Sequence, residues 1–256
     1  MNKIICIANQ KGGVGKTTTA INLSASIAAA ERKTLLIDCD SQANATCGLG
    51  VDMDSIKERN FYHALIGKLP LRDVIIPTAL SNLDIAPCNR DLIGIEVEFV
   101  NIKDRERKLR LLLQQSEVAY DFIILDCPPS LGFLTVNALV AADFLLVPLQ
   151  CEYFAMEGLG HLLNTVRFIK TQLNPSLTLG GIPLTMYDMR NLLSKRVSED
   201  VKKYFGDKVF KTVIPRNVRL SESPSHGLPI ILYDIKSRGA LAYLELAQEI
   251  LSNGRQ

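Results

Sequence analysis

The sequence predicts an α/β fold in which helices cover both faces of a mostly parallel, twisted sheet, and it predicts a single domain over residues 1–256. Short apolar runs typical of fully buried strands alternate with segments of helical periodicity. The 256 residues can bury a substantial core, and no linker rich in Pro, Gly or Ser divides them. Hydrophobic residues make up 47% and charged residues 22% of the chain, as in compact globular proteins.

The first predicted strand and helix flank a glycine-rich loop. The run from Ile4 to Ile7 predicts the strand, the pattern from Ala20 to Ala30 predicts the helix, and glycines 12, 13 and 15 lie between them. These glycines let the backbone turn tightly and aim its N–H groups inward, while the helix N-terminus adds positive potential. The context favours a phosphate-binding loop over a glycine-rich turn with unrelated lysines. Lys16 would then face the β and γ phosphates of a nucleotide, and Thr17 would hold Mg²⁺.

A second apolar run, from Thr34 to Ile37, ends in two carboxylates, Asp38 and Asp40. The carboxyl ends of parallel strands face the site that open α/β sheets build there. By strand alternation both side chains lie on one side, which suits one for a Mg²⁺-bound water and the other for the attacking water. The alternative, a polar turn after a strand, is less favoured beside a phosphate loop.

A third carboxylate ends the run from Tyr120 to Asp126, which reads as a fully buried parallel strand. Asp126 is expected to accept hydrogen bonds from a Mg²⁺-bound water, as in phosphate-loop NTPases.

We assign no chemistry to residues 51–120. The other predicted helices are a short one at 61–65, one at 105–115 and one after 155, and the other predicted strands are a short one at 83–87 and two more at 144–148 and 177–186. A last helix is predicted from Arg238 to Leu251. Its predicted core stripe consists of Leu241, Leu244, Ala247 and Leu251.

Charge and cysteine content exclude several classes of function. The net charge of +2 is too small to indicate nucleic-acid binding by itself. The six cysteines form no C-x-x-C pair, so we interpret them as small buried residues of a protein in a reducing cytosol. Neither a signal peptide nor an apolar run of membrane-spanning length is recognisable. We therefore expect a cytoplasmic protein with no membrane association.

Basic residues concentrate between Met186 and Leu220, where nine Lys or Arg stand against four Asp or Glu. A local excess of this kind can neutralise the phosphates of a DNA duplex without reading bases, so the affinity would be independent of sequence and sensitive to salt. The alternative is a basic but solvated helix face. Charge alone does not decide between them.

The loop from Lys11 to Thr17 resembles the deviant Walker A motif of the ParA/MinD group of ATPases, because Gln10 stands where the ordinary motif has glycine and a second lysine follows it. The resemblance implies the cofactors ATP and Mg²⁺, held by Lys11, Gly12, Gly13, Val14, Gly15, Lys16, Thr17 and Thr18, with Thr17, Asp38 and Asp126 at the metal. In that group the extra lysine crosses a dimer interface to the other subunit's nucleotide. Lys11, Lys16 and Asp40 are thereby implied as catalytic residues.

Two further stretches resemble the chromosomal ParA/Soj sequences, the residues 187–190 and the residues 215–229. The resemblance implies that Arg190 and Arg219 bind nonspecific double-stranded DNA across an ATP-dependent homodimer, and that Pro215 and Asn217 contact the nucleotide base. The stretch after Asp126 resembles the family's switch region. The loop after the second strand departs from the family pattern, since Ser41 replaces a proline and Ala43 a glycine.

The resemblance implies a DNA-partitioning ATPase that acts on the nucleoid, with slow intrinsic turnover stimulated by a ParB-like centromere-binding protein. One alternative is a MinD-like positioning ATPase that acts at a membrane or cell pole. The segment from Ser252 to Gln256 lacks the basic, bulky apolar face of a membrane-binding tail, which argues against it. Another alternative is a nitrogenase-reductase relative or a synthetase on the same scaffold. The cysteine contexts do not match the iron–sulfur family.

Overall fold

The computed structural model describes residues 3–253. Within this range nine strands form one sheet in the order β3-β4-β2-β5-β1-β6-β8-β7, with β9 paired to β8. The strands are β1 (Lys3–Ile7), β2 (Thr34–Asp38), β3 (Ile76–Pro77), β4 (Leu83–Ala86), β5 (Phe122–Asp126), β6 (Phe144–Leu146), β7 (Leu149–Gln150), β8 (Thr178–Tyr187) and β9 (Val209–Pro215). Every pairing is parallel except that of β3 with β4.

Twelve α-helices lie within the same described range: α1 (Lys16–Ala29), α2 (Asn44–Gly48), α3 (Phe61–Leu65), α4 (Leu71–Val74), α5 (Ile95–Glu98), α6 (Lys108–Gln115), α7 (Phe133–Ala141), α8 (Ala155–Gln172), α9 (Leu192–Phe205), α10 (Val218–Glu222), α11 (Ile230–Tyr233) and α12 (Arg238–Asn253). None of the helices in residues 3–253 is both long and apolar enough to cross a membrane.

The sheet separates two hydrophobic cores, and successive residues of each central strand enter opposite cores. Cys6 of β1 and Leu35 of β2 lie in one core, whereas Ile5 and Leu36 lie in the other. Strands β2 and β5 are buried along their whole length, which explains why their sequences are unbroken apolar runs. The predicted α/β fold with a mostly parallel, covered sheet is confirmed.

Strand register brings the functional ends of three strands together. Asp126 of β5 is opposite Ile7 of β1 on one side and Asp38 of β2 on the other. Because the three strands are parallel, the loops that leave their carboxyl ends lie at one edge of the sheet. The glycine-rich loop after β1 therefore neighbours the acidic ends of β2 and β5.

The predicted core stripe of the last helix is confirmed in part. Ala247 of α12 is buried, and Leu244 and Leu251 are partly buried against the same core, whereas Leu241 is 49% exposed and Tyr243 is buried instead. Helix α12 packs against α1 and β9, and the Tyr243 hydroxyl lies 3.1 Å from the Thr19 hydroxyl of α1. Apolar residues occupy so many positions of this helix that its periodicity admits more than one face, and contact with α1 selects among them. Of the predicted tail after Leu251, residues 254–256 lie outside the described part of the chain.

Candidate nucleotide-binding site

The glycine-rich loop between β1 and α1 has the conformation of an anion cradle. Gly13 and Gly15 have φ angles of 73° and 84°, in the left-handed region that glycine adopts without strain. Gly15 is the N-cap of α1, and no side chain caps the first turn of this 14-residue helix. The uncapped N–H groups and the helix dipole together favour a negatively charged ligand at this point.

A cavity of about 500 Å³ opens directly over this loop. It gathers most of the residues predicted to bind nucleotide, although they come from distant parts of the chain. Those that line it are Gly12, Gly13, Gly15, Lys16, Thr17, Thr18, Asp40, Pro215 and Asn217. Val14 belongs to the loop but is buried behind it, with its carbonyl turned toward β8.

The two lysines of the loop have different surroundings. The Lys16 side chain is 7% exposed and its Nζ donates a hydrogen bond of 3.0 Å to the Lys11 carbonyl. Burial lowers the pKa of Lys16, although Asp126 and Asp40 oppose the shift. The Lys11 ammonium instead forms an ion pair with Glu152, in the turn that follows β7. The sequence predicts no partner for Lys11 within its own chain, because a contact between residues so far apart in the chain leaves no local signal.

Asp38 is completely buried, and its carboxylate is fully engaged. Its Oδ1 accepts from the Asp40 N–H at 3.1 Å, and its Oδ2 accepts from the N–H and the hydroxyl of Thr46 at 2.8 and 2.7 Å. Burial raises the pKa of Asp38 to about 6, against these hydrogen bonds. The side chain thus ties the end of β2 to α2, and any contact with a metal ion would go through water.

Asp126 is equally buried, but neither of its carboxylate oxygens has a hydrogen-bond partner among the described residues. Burial is the main cause that raises the pKa of Asp126 well above its ordinary value, and the negative charge of Asp38 adds to it. The Thr17 hydroxyl lowers this pKa without reaching hydrogen-bond geometry. An orphaned carboxylate is costly unless a cation or its bound water satisfies it.

The donor set around Asp126 fits a hard cation. Carboxylate and hydroxyl oxygens from Asp126 and Thr17 are ligands or water acceptors of the kind that Mg²⁺ takes, with the remaining positions filled by water and substrate phosphates. Within residues 3–253 no group of three or more His, Cys, Asp or Glu side chains could hold a metal by itself. A bound phosphate would supply further oxygen ligands to a cation at this site.

Asp40 faces the cavity from the loop after β2. Its Oδ1 accepts from the Gln42 N–H at 3.0 Å, and its side chain is buried at the cavity wall. The sequence departure at Ala43 leaves the loop in a glycine-like shape, since Ala43 has a φ of 56°. The loop thus keeps a conformation that an alanine adopts only with strain.

The far wall of the cavity is formed by the end of β9 and by α10. Asn217 is the N-cap of α10 and accepts from the Arg219 N–H at 2.9 Å, which fixes it beside Pro215. Sequence reasoning missed several other residues that line the cavity, because they look like ordinary positions of strands, helices and loops. They are Asn44, Pro129, Thr185, Met186, Ile214, Arg216, Leu220, Ser221, Pro224 and Tyr243.

Arg190 and Arg219 lie outside the cavity and are exposed, but each has acidic partners. The Arg190 guanidinium donates two hydrogen bonds to Asp188 and the Arg190 backbone N–H donates a third, and together they hold the pKa of that carboxyl at about 2. Arg219 bonds Glu222 at 2.9 Å and lies 3.5 Å from a carboxylate oxygen of Asp234. Since such exposed ion pairs are weak, both guanidinium groups remain available to an anionic ligand.

The fold and the site define the class of P-loop nucleotide-binding proteins. A family model described as AAA domain matches residues 2–179. The chain is 54% identical to the chromosome partitioning protein ParA of Myxococcus xanthus, over 98% of this chain and 88% of that protein, and 50% identical to the chromosome-partitioning ATPase Soj of Treponema pallidum, over the full length of both. The chain belongs to the ParA/Soj family of chromosome-partitioning proteins.

Among solved structures, cobyrinic acid a,c-diamide synthase from Mycobacterium smegmatis with bound ADP and magnesium is similar to this chain. The TM-score is 0.87 with 35% sequence identity, and the match covers 100% of this chain and 96% of the synthase. The same fold therefore holds ADP and magnesium in a synthase. The fold alone does not determine the function, which depends on the residues of the site.

Proposed function

We propose that this protein, acting as a single ATPase domain over residues 1–256, hydrolyses ATP and uses its nucleotide state to control dimerisation and binding to nonspecific double-stranded DNA. One observation carries the proposal: a single cavity joins an uncapped helix N-terminus, two loop glycines in left-handed conformation and Lys16, whose ammonium interacts with the charge of the orphaned Asp126 carboxylate. Such a site suits a nucleotide polyphosphate with a divalent cation. Membership of the ParA/Soj family supports the biological role.

In this proposal the loop backbone from Gly12 to Thr18 holds the phosphates, and Pro215 and Asn217 contact the base. Thr17 and Asp126 hold Mg²⁺, with Asp38 acting through water. The metal ion neutralises the negative charge that develops during phosphoryl transfer. Lys16, already desolvated, contributes its ammonium to the β and γ phosphates, where a charge in a water-poor site stabilises the transition state most strongly.

Asp40 is the proposed positioner of the attacking water, because its carboxylate lies at the cavity wall while Asp38 is occupied by Thr46. Lys11 is proposed to reach the nucleotide of the other subunit in an ATP-dependent homodimer. It must first leave Glu152, and since both side chains of that ion pair are partly exposed, separating them costs little. Turnover would be slow in the monomer, because the Lys11 that acts on each nucleotide comes from the other subunit.

The basic segment supports the proposed DNA-binding role. Arg190 and Arg219 are separated in sequence, yet both follow strands that pair with each other, β8 and β9. Dimer closure would double this surface, which would make DNA affinity depend on ATP. A ParB-like centromere-binding protein is the proposed partner that stimulates hydrolysis and releases the nucleoid-bound dimer.

Two measurements on the purified protein test the proposal together. Phosphate release from ATP is measured with and without Mg²⁺, and retardation of a nonspecific duplex is measured with ATP, ADP and no nucleotide. We expect Mg²⁺-dependent hydrolysis and retardation that requires ATP. DNA binding of equal strength in all three nucleotide conditions would contradict the proposed switch, and the absence of any ATP hydrolysis would contradict the proposed enzyme.

A further inference from the structure

Strand β8 has an irregularity where it borders the cavity. Leu184 pairs with Val213 and Tyr187 with Pro215, so two residues of β8 face one residue of β9. This is a β-bulge, and its two residues are Thr185 and Met186. Met186 has a φ of 48°, a left-handed conformation that is unfavourable for a residue with a side chain. Strain of this kind persists only where the surrounding structure holds it.

Both bulge residues line the cavity, although adjacent side chains of a regular strand point to opposite faces. The left-handed turn at Met186 accounts for this, because it changes the direction of the chain between the two residues. On the other edge of β8, Thr185 is opposite Gln150 of β7. Thr185 is therefore held between two neighbouring strands at the wall of the nucleotide site.

Thr185 contacts the phosphate loop through its hydroxyl group and through its Cβ and Cγ2 atoms. Its hydroxyl donates a hydrogen bond of 2.8 Å to the carbonyl of Val14, and the side chain is 2% exposed. Its Cβ and Cγ2 lie 3.8 and 3.9 Å from the point where a Cβ on Gly15 would stand. One threonine thus holds the peptide unit that joins Val14 to Gly15.

The orientation of that peptide unit decides where the Gly15 N–H points. In a planar trans peptide the C=O and the N–H point in opposite directions, and the described residues contain no cis peptide. Since the Val14 carbonyl is bonded to β8, the Gly15 N–H is directed away from β8. Gly15 lines the cavity at the N-terminus of α1, where backbone N–H groups bind phosphate oxygens.

We infer that Thr185 is a positioning residue that holds the Val14–Gly15 peptide so that the Gly15 N–H is presented to a bound phosphate, and that the Met186 bulge places the Thr185 hydroxyl to do so. The inference rests on the proposed nucleotide-binding function. It assigns a role in phosphate recognition to a strand residue that lies 171 positions from the loop it orients.

The test compares Thr185→Val with Thr185→Ser in the full chain. Valine keeps the shape of threonine but lacks the donor, whereas serine keeps the donor. Affinity is measured by fluorescence polarisation of N-methylanthraniloyl-ADP with Mg²⁺. We expect Thr185→Val to bind about tenfold more weakly than the parent, the loss typical of one hydrogen bond that fixes a site, and Thr185→Ser to remain within about threefold. Thermal unfolding without nucleotide checks that both variants fold.

A second pair of variants keeps the inference testable if Thr185→Val fails to fold. Met186→Gly and Met186→Val both remove the methionine side chain from the cavity, but only glycine accepts the left-handed conformation freely. We expect Met186→Val to bind the labelled ADP at least threefold more weakly than Met186→Gly, because valine disfavours the bulge.

If the parent binds the labelled ADP, any of three outcomes would overturn the inference and leave the proposed function standing. The first is that Thr185→Val binds the labelled ADP as tightly as the parent, and the second is that Thr185→Ser and Thr185→Val are weakened equally. The third is that the two Met186 variants bind with equal affinity. A parent that binds no ADP would instead overturn the proposed function, and the inference with it.

Discussion

Replacing Asp126 by asparagine should stabilise the nucleotide-free protein while removing its response to Mg²⁺ and ATP. The reason is that Asp126 holds a buried carboxylate with no hydrogen-bond partner among the described residues. Asp38, buried to the same extent, accepts three hydrogen bonds and still has its pKa raised from 3.8 to about 6. That shift corresponds to about 3 kcal/mol of lost stability at neutral pH, at about 1.4 kcal/mol for each tenfold change in the equilibrium.

The cost of ionised Asp126 should be at least as large, since it lacks the compensating hydrogen bonds. An asparagine amide in the same place is neutral but also unsatisfied, which costs about 1–3 kcal/mol. With the cost of the ionised carboxylate taken as about 3 kcal/mol, we expect a net gain of up to about 2 kcal/mol for Asp126→Asn at pH 7.5. For a chain of this size that gain corresponds to a melting temperature up to about 8 °C higher.

The assay is thermal and urea unfolding at pH 7.5, with and without Mg²⁺ and ATP. Asp38→Asn is the matched control, because Asp38 and Asp126 are opposite each other in the register of β2 and β5. An amide N–H₂ at position 38 would face the N–H or hydroxyl donors that now bond the carboxylate, so Asp38→Asn should lose about 1–3 kcal/mol. Ligand stabilisation should be present in the parent and absent in Asp126→Asn.

The pH dependence gives a second readout with a definite sign. Folding raises the pKa of Asp126. Between about pH 4, where the carboxyl of the unfolded chain loses its proton, and the higher pKa of the folded state, the folded protein therefore binds more protons than the unfolded chain. The parent should therefore lose stability through this group as the pH rises across that window, and Asp126→Asn should lack its share of the decline. If Asp126→Asn were as destabilised as Asp38→Asn, or kept its stabilisation by Mg²⁺ and ATP, the reasoning would be refuted.

Three further predictions concern the proposed cycle. Lys16→Ala should abolish nucleotide binding, measured by fluorescence polarisation. Lys11→Ala should still bind ATP but should fail to form a dimer, measured by light scattering. A normal ATP-dependent dimer of Lys11→Ala would exclude the proposed contact of Lys11 with the other subunit's nucleotide. Asp40→Ala should bind Mg²⁺ and ATP but should not release phosphate, so it should accumulate as a DNA-bound dimer. Hydrolysis at the parental rate would show that a residue other than Asp40 positions the attacking water. Arg219→Glu, and to a lesser degree Arg190→Glu, should abolish retardation of nonspecific DNA while the ATP-dependent dimer remains intact. Each lost phosphate contact should lower the slope of log affinity against log salt concentration by about one. The control is Arg32→Glu, which changes an exposed arginine outside the basic segment and should retain DNA binding.

The local part of the site was predictable from the sequence because its signals are contiguous. A strand, a loop with glycines at 12, 13 and 15, and a helix follow one another without a gap, and two apolar runs end in acids. Parallel strands bring their carboxyl ends to one edge of a sheet, so the neighbourhood of Lys16, Asp40 and Asp126 follows from those patterns. The structure confirms the fold class, places Lys16 and Asp40 at the wall of one cavity, and brings Asp126 close enough for its charge to act on Lys16.

The sequence was less informative where packing selects among several permitted arrangements. Helix α12 has apolar residues on more than one face, and the predicted core stripe included Leu241, which is exposed, but not Tyr243, which is buried. In the structure Tyr243 is buried against α1, where its hydroxyl finds the Thr19 hydroxyl. A buried tyrosine needs such a partner, and only the position of another helix supplies it.

The sequence by itself determined the fold class, the phosphate loop and the acids at the strand ends, because each depends on neighbours along the chain. Only the tertiary structure decided that Lys11 pairs with Glu152, that Asp38 is satisfied by Thr46 whereas Asp126 has no hydrogen-bond partner among residues 3–253, and that Thr185 holds the loop. Except for the hydrogen bonds of Asp38 to Thr46, these depend on groups more than a hundred positions apart or on the burial of a side chain. Periodicity and spacing carry no information about such distances, since the energy of a buried polar group is set by the atoms that surround it in space.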